Sequence, residues 1–347
     1  LVKIENNVVE ETSAERIKDY TLSYLDSLGK THIVNGQEEQ KKRNCLIYNK
    51  LMTLLKEPNC KLFRLENLRG LRECKVPFQR DTQDTSYFYF QNCVAAVTKE
   101  GIACLQYREI KELVWKSWIS SRDYQPQNGE SEFSKFISLV CKNDQARVRG
   151  LKSAIGYLLH RYKNPSNTKA IILYDAADSA EPDGRTGKSL ILEAIGKIRK
   201  VAVLDGKQLD LSDRFAFQGV RHDTEIVGLD DVSDSFDFVK LFHKITAGFE
   251  VEQKKLPKKY VRFEDAPKIV VTTNYVVAQL GGSAEARKME YGLHPHFSSA
   301  FTPIDEFGHN FFLDWDSREW SNFIHFMLNC CVDFLREGLL STTITGL

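Results

Sequence analysis

The sequence predicts an α/β protein, with a mostly parallel sheet flanked by helices and a smaller mixed α+β region ahead of it. Three observations predict this. Short apolar runs alternate with helix-like periodicities through the second half of the chain, the pattern of a covered parallel sheet. Gly184-Arg-Thr-Gly-Lys-Ser189 lies between the apolar run Ala170-Ile-Ile-Leu-Tyr174 and the helix-like run Leu190-Ile-Leu-Glu-Ala-Ile195, so a glycine-bearing loop joins a strand to a helix. Two later apolar runs end in polar residues, Asp230-Asp231 and Asn274.

In chain order, residues 1–140 read as a mixed first domain. Ser86–Phe90 and Val94–Thr98 are β-prone runs joined by a turn at Gln91-Asn92, a hairpin signal. The aromatics at 87–90 read as strand core, since no interleaved cation accompanies them. Ile110, Leu113, Val114 and Trp118 fall on one helical face. Residues 122–131 are polar, with Pro126 and Gly129, and read as a linker. Residues 141–347 form the second domain. Val148, Leu151, Ile155, Leu158 and Leu159 mark a helix that ends near Asn164-Pro165. Strand 170–174, helix 189–199, strand 201–204 and strands near 225–229 and 268–273 follow. At the C-terminus, Asp316 with Glu319 forms a capping-box pattern. Trp320, Phe323, Ile324, Met327, Cys331, Phe334 and Leu335 then recur at helical spacing up to Gly338.

The chain has 347 residues, 42% hydrophobic, with formal net charge +1. That is enough for a substantial core, and it excludes a protein that coats nucleic acid through bulk charge. No run approaches the ~18 apolar residues of a membrane span. The eight cysteines are scattered without C-x-x-C or metal-ligand spacing, as expected of reduced thiols in a cytoplasmic protein. His294-Pro-His296 lacks a third ligand nearby and reads as surface or packing. The chain begins at Leu1 rather than Met, so a trimmed or partial sequence is expected.

The loop at 184–189 has the chemistry of a triphosphate cradle. Gly184, Arg185, Thr186 and Gly187 would offer backbone N–H groups, Lys188 would reach the β- and γ-phosphates, and Ser189 would hold Mg²⁺. Pro182 stands where the strict pattern has its first glycine. Asp230 suits the metal, and Asp231 suits orienting and deprotonating the attacking water. Asn274 can hydrogen-bond the water or the γ-phosphate. Between these, Ile245–Phe263 holds Lys254, Lys255, Lys258 and Lys259 around Pro257 between two β-prone runs. That reads as a hairpin with a basic tip suited to a phosphate backbone.

These four segments, in this order and spacing, resemble the motifs of superfamily 3 helicases, the AAA+-related motors of viruses, phages and mobile elements. Residues 153–160, Asp205-Gly-Lys207 and Phe307–Asp316 extend the resemblance to the phage- and poxvirus-type primase-helicase branch. The resemblance implies a P-loop NTPase fold of AAA+ type and a ring, hexameric in the family, with ATP and Mg²⁺ bound between subunits. Basic residues would face a channel that moves single-stranded DNA, and a primase domain or partner would act upstream. Arg287, in Glu285-Ala-Arg-Lys288, takes the place of the arginine lent to the neighbouring subunit. The implied location is the host cytosol or nucleoid. Two other functions fit parts of the pattern: an ATP-gated replication initiator that binds DNA without unwinding it, and a monomeric P-loop kinase, which would need no lent arginine.

Overall fold

The computed structural model describes residues 1–32, 38–57, 60–70, 77–127, 129–176, 185–221, 223–252, 258–275 and 281–342. The chain divides into two compact units, one of residues 1–79 with 107–119, the other of 80–106 with 120–347.

The first unit starts with β1 (Val2–Glu5) and β2 (Val8–Glu11), then α1 (Ala14–His32), α2 (Glu38–Lys56) and α3 (Leu65–Leu68). The chain then enters the second unit through an antiparallel meander, β3 (Ser86–Tyr89), β4 (Val94–Thr98) and β5 (Gly101–Leu105). It returns to add β6 (Val114–Trp115) parallel to β2. The helix expected at 110–118 does not form. Ile110, Leu113 and Val114 are buried as that pattern required, but Val114 pairs with Val8 and Leu113 bridges Phe78. Asn7 donates to the carbonyl of Ile110 at 2.8 Å, and Trp115 stacks on Phe78 with centroids 4.8 Å apart. Pairing with β2 satisfies the backbone of Val114 and Trp115, β-branched and aromatic residues with no strong helix preference of their own.

The second unit continues with α4 (Glu132–Val140), α5 (Gln145–Leu159), β7 (Ala170–Asp175), α6 (Lys188–Gly196), β8 (Val201–Asp205), β9 (Ile226–Val232) and α7 (Phe242–Thr246). Then come the hairpin β10 (Phe249–Val251) and β11 (Lys259–Val261), β12 (Lys268–Thr273), α8 (Gly282–Glu285), β13 (Lys288–Leu293), α9 (Pro303–Phe307) and α10 (Ser317–Glu337). Five strands form one sheet in the order β13-β7-β12-β9-β8, every pair parallel. The protein is therefore α/β, with a five-stranded parallel sheet flanked by helices, consistent with a P-loop-like fold. β7 and β12 are buried at every position. Their alternate side chains feed two cores. Ile171, Leu173 and Val270 join α4, α5, α6 and α10, while Ala170, Ile172, Ile269 and Val271 join Phe217, Phe238, Ile245 and Phe249.

Residues 80–106 and 120–140 thus belong to the same compact unit as the sheet, rather than to a domain ending near 140. The reason is packing. Phe88, Phe90, Ala95 and Val97 of the meander share a core with α4 and α10. The expected linker is part of it: Tyr124 is buried, stacks on Phe90 at 5.2 Å, and exchanges two hydrogen bonds with Asn92. Helices α5 and α10 meet at Gly156, where an added Cβ would lie 2.0 Å from the carbonyl oxygen of Cys330. Asp316 caps α10 as expected, accepting from Glu319 N at 2.8 Å. The Glu319 carboxylate, however, turns to α4, where it accepts from Glu132 N at 2.7 Å and Ser131 Oγ at 3.1 Å. Among the described residues no helix is long and apolar enough to cross a membrane.

Candidate functional site

Strands β7, β9 and β12 run in the same direction, so their last residues share one edge of the sheet. β7 ends at Asp175, β9 passes through Asp230-Asp231, and Asn274 follows β12. The chain returns to this edge through Arg185 and Gly187, both at positive φ (60° and 99°), and enters α6 at Lys188. Gly187 is required twice over. Its φ is left-handed, and an added Cβ would fall 2.5 Å from Phe136 Cζ. Gly184 lies outside the described residues, as do Lys254 and Lys255.

Lys188 is buried. Its Nζ donates to Asp175 Oδ1, to Thr186 Oγ1 at 3.3 Å and to Asn274 Oδ1 at 3.0 Å. Thr186 also donates to Asp175, whose second oxygen is buried without a hydrogen bond among the described residues. Asn274 Nδ2 donates to Asp231 Oδ1 at 3.3 Å, and Lys207 Nζ sits 2.5 Å from Asp231 Oδ2. One continuous chain of polar contacts therefore runs Asp175, Lys188, Asn274, Asp231, Lys207.

The two acids of β9 reach one edge by a bulge. Val271 pairs with Leu229 and Thr273 with Val232, so Asp230 and Asp231 together face Thr272. Strand alternation would send neighbouring side chains to opposite faces. The extra residue, with Asp231 at φ 59°, re-aims them. Thr272 Oγ1 holds the bulge, accepting from Asp231 N at 2.8 Å and donating to Asp230 Oδ1 at 2.6 Å. Ser189 Oγ lies 3.1 Å from Asp230 Oδ1. Gly206 lets the next turn close over the bulge. Its N donates to Asp230 O at 2.6 Å, and a Cβ there would also fall 2.6 Å from that oxygen.

Arg287 is not part of this cluster. It precedes β13, whose first residue Lys288 pairs with Ala170 at the far end of β7, about 17 Å of strand from Asp175. Its Nη1 donates to Ser283 O at 2.9 Å, its Cζ sits 4.9 Å from the Phe242 ring centroid, and its Nε is buried without a hydrogen bond among the described residues. Lys258 and Lys259 lie at the loop end of the β10–β11 hairpin, where Val251 pairs with Lys259 and Lys258 Nζ is 2.8 Å from Glu250 Oε2. Among the described residues no group of three or more metal-binding side chains occurs, at His294-Pro-His296 or elsewhere.

Asp175, Thr272 and the pairing of Lys207 with Asp231 are the site features that sequence reasoning did not assign. The signal for Asp175 was an acid closing an otherwise apolar run just ahead of the glycine loop. Thr272 carried no signal, because β-branched residues are ordinary strand formers.

No family model matches the chain, and no curated protein is similar to it in sequence. Among solved structures it is similar to the NrS-1 C-terminal region, at 9% identity and TM-score 0.39, over 75% of this chain and 67% of that one. A second structure of that region gives 11% identity and TM-score 0.37. JCV helicase, with a small molecule bound, gives 14% identity and TM-score 0.33, over 48% of this chain and 47% of that one.

Proposed function

We propose that the protein is the ATP-driven motor of a superfamily 3-type helicase, with an AAA+-like nucleotide site completed by a neighbouring subunit. The observation that carries this reading is the convergence of Lys188, Ser189, Asp230, Asp231 and Asn274 on one edge of the sheet, although they come from three separate segments. In this reading Lys188 leaves Asp175 for the β- and γ-phosphates, and the N–H groups at the start of α6 receive phosphate oxygens. Asp231 accepts a proton from the attacking water, with Asn274 fixing the orientation of both.

The oxygens of Ser189 and Asp230, 3.1 Å apart, form a hard donor pair that suits Mg²⁺. The ion would neutralise charge on the phosphate oxygens. Arg287 would act on the site of an adjacent copy, and an arginine supplied in trans contributes on the order of 10³–10⁵ in rate. The hairpin would carry the strand-contacting cations.

A strand-displacement assay with and without ATP tests the reading. ATP-dependent unwinding, lost in Lys188→Ala, is the expected result. DNA binding and ATP turnover without displacement would instead fit a nucleotide-gated initiator. Full activity in a monomer would return the kinase reading.

A further inference from the structure

The β10–β11 hairpin carries an aromatic side chain that the nucleotide site does not use. In its ladder Phe249 pairs with Val261 and Val251 with Lys259, while Tyr260 faces Glu250. Phe249, Val251 and Val261 pack into the second core. By strand alternation Tyr260 and Glu250 then share the outer face, and Tyr260 is 60% exposed. The ring is nonetheless seated. An added Cβ at Gly248 would fall 2.2 Å from Tyr260 Cζ and Oη and 2.5 Å from Val261 O. Only a glycine there leaves room for the ring tip against the backbone.

Lys258 and Arg262 lie two residues to either side of Tyr260. Both lie just outside β11; extended backbone would carry them on its face about 6.8 Å away in each direction. Both are mostly exposed. Lys258 Nζ is 2.8 Å from Glu250 Oε2, and Arg262 Nη2 is 3.2 Å from Asp265 Oδ2. Exposed pairs of this kind are weak because water screens both charges, so exchanging a carboxylate for a phosphate costs little. A cation, an aromatic ring and a cation in sequence along one face suit a single nucleic-acid strand. The ring offers a stacking surface that every base can use, and the cations neutralise the phosphates on either side.

We propose that Tyr260 is a stacking platform for a base of single-stranded DNA, with Lys258 and Arg262 as its flanking phosphate contacts. This rests on the motor reading and adds to it a base-dependent grip that the lysines alone would not give. The proposed test measures fluorescence anisotropy with labelled oligothymidylate and with an abasic strand of equal length, across a salt series. Wild type should bind the base-bearing strand about tenfold more tightly, within the range of one lost stacking contact.

Tyr260→Leu keeps an apolar cover over Gly248. It should lose about tenfold on oligothymidylate, nothing on the abasic strand, and leave the salt slope unchanged. Tyr260→Phe should bind as wild type. Lys258→Ala and Arg262→Ala should each reduce the log–log salt slope by about 0.7. Equal wild-type affinity for the two strands overturns the proposal while leaving the motor reading intact. So does a Tyr260→Leu loss that is absent, or equal on both strands. A wild type that binds neither strand removes the motor reading itself.

Discussion

Asp231 adopts a left-handed backbone, φ 59°, that non-glycine residues rarely use and that costs on the order of 1–3 kcal/mol. The Thr272 hydroxyl compensates by accepting its N–H and donating to Asp230. Thr272→Val keeps the shape and β-propensity but removes both bonds. Stability should fall by about 1–3 kcal/mol. ATP turnover should drop at least ~10-fold while nucleotide affinity is kept, because a misplaced general base removes an interaction made in the transition state. Denaturant melts and steady-state ATPase measurements check this, and unchanged turnover would show that the bulge does not place the base.

Residue type and spacing single out the acids, the lysine, the serine and the asparagine, and the structure brings them into contact. The bulge that lets two adjacent acids act together was not legible in the sequence, because alternation along a strand predicts the opposite. A second residue, His160, is buried beside Asp81 and Lys268, with Nε2 2.7 Å from Thr82 O. Burial is the main cause that lowers its pKa to about 4 from 6.5. The folded state therefore holds the neutral ring while the unfolded chain protonates. Stability from this group is fully present above pH 6.5 and is lost progressively as pH falls from 6.5 toward 4. His160→Gln should flatten the dependence of the denaturation midpoint on pH in that window. An unaltered slope would mean that the ring titrates normally.

At the level of elements, the strongest periodicities were reliable. The α10 stripe and the apolar runs of β7 and β12 form as their patterns require. β13 escaped notice because Lys288-Met-Glu-Tyr-Gly-Leu293 is mixed in polarity, as an edge strand with one partner can be. The helix at 110–118 was a period error, since a few apolar residues spaced three and four apart also fit two short strand contacts. The capping box at 316–319 half formed, because Glu319 satisfies the N–H of Glu132 on α4 instead.

The α5–α10 crossing depends on Gly156, where an added Cβ would lie only 2.0 Å from Cys330 O. Alanine raises helix propensity by ~1 kcal/mol, but here overpacking should prevail. Gly156→Ala is expected to destabilise by a net ~1–3 kcal/mol, the usual cost of overpacking. Thermal denaturation reads it, and a raised melting temperature would mean that the helices separate without cost.

At the scale of the molecule, the sheet places Arg287 and the loop that leads into α6 at opposite edges. A single chain therefore cannot bring its own Arg287 to Lys188 while β7 and β13 keep their register. If the arginine acts on an adjacent copy, specific ATPase activity should rise with protein concentration and level off on assembly. Lys188→Ala and Arg287→Ala should each be inactive alone. A one-to-one mixture should recover activity, since about a quarter of randomly mixed head-to-tail interfaces pair an intact loop with an intact arginine. No recovery, with both variants folded and assembled, would remove Arg287 from the mechanism.

The most direct test of the central claim is a calorimetric titration of Mg²⁺ with a non-hydrolysable ATP analogue into the wild-type protein and into Lys188→Ala. Wild type should bind saturably and only with Mg²⁺, and binding should weaken at least ~100-fold in the variant, the charge-assisted contact to phosphate being lost. Equal affinity in the two proteins, or no binding by wild type, would contradict that claim.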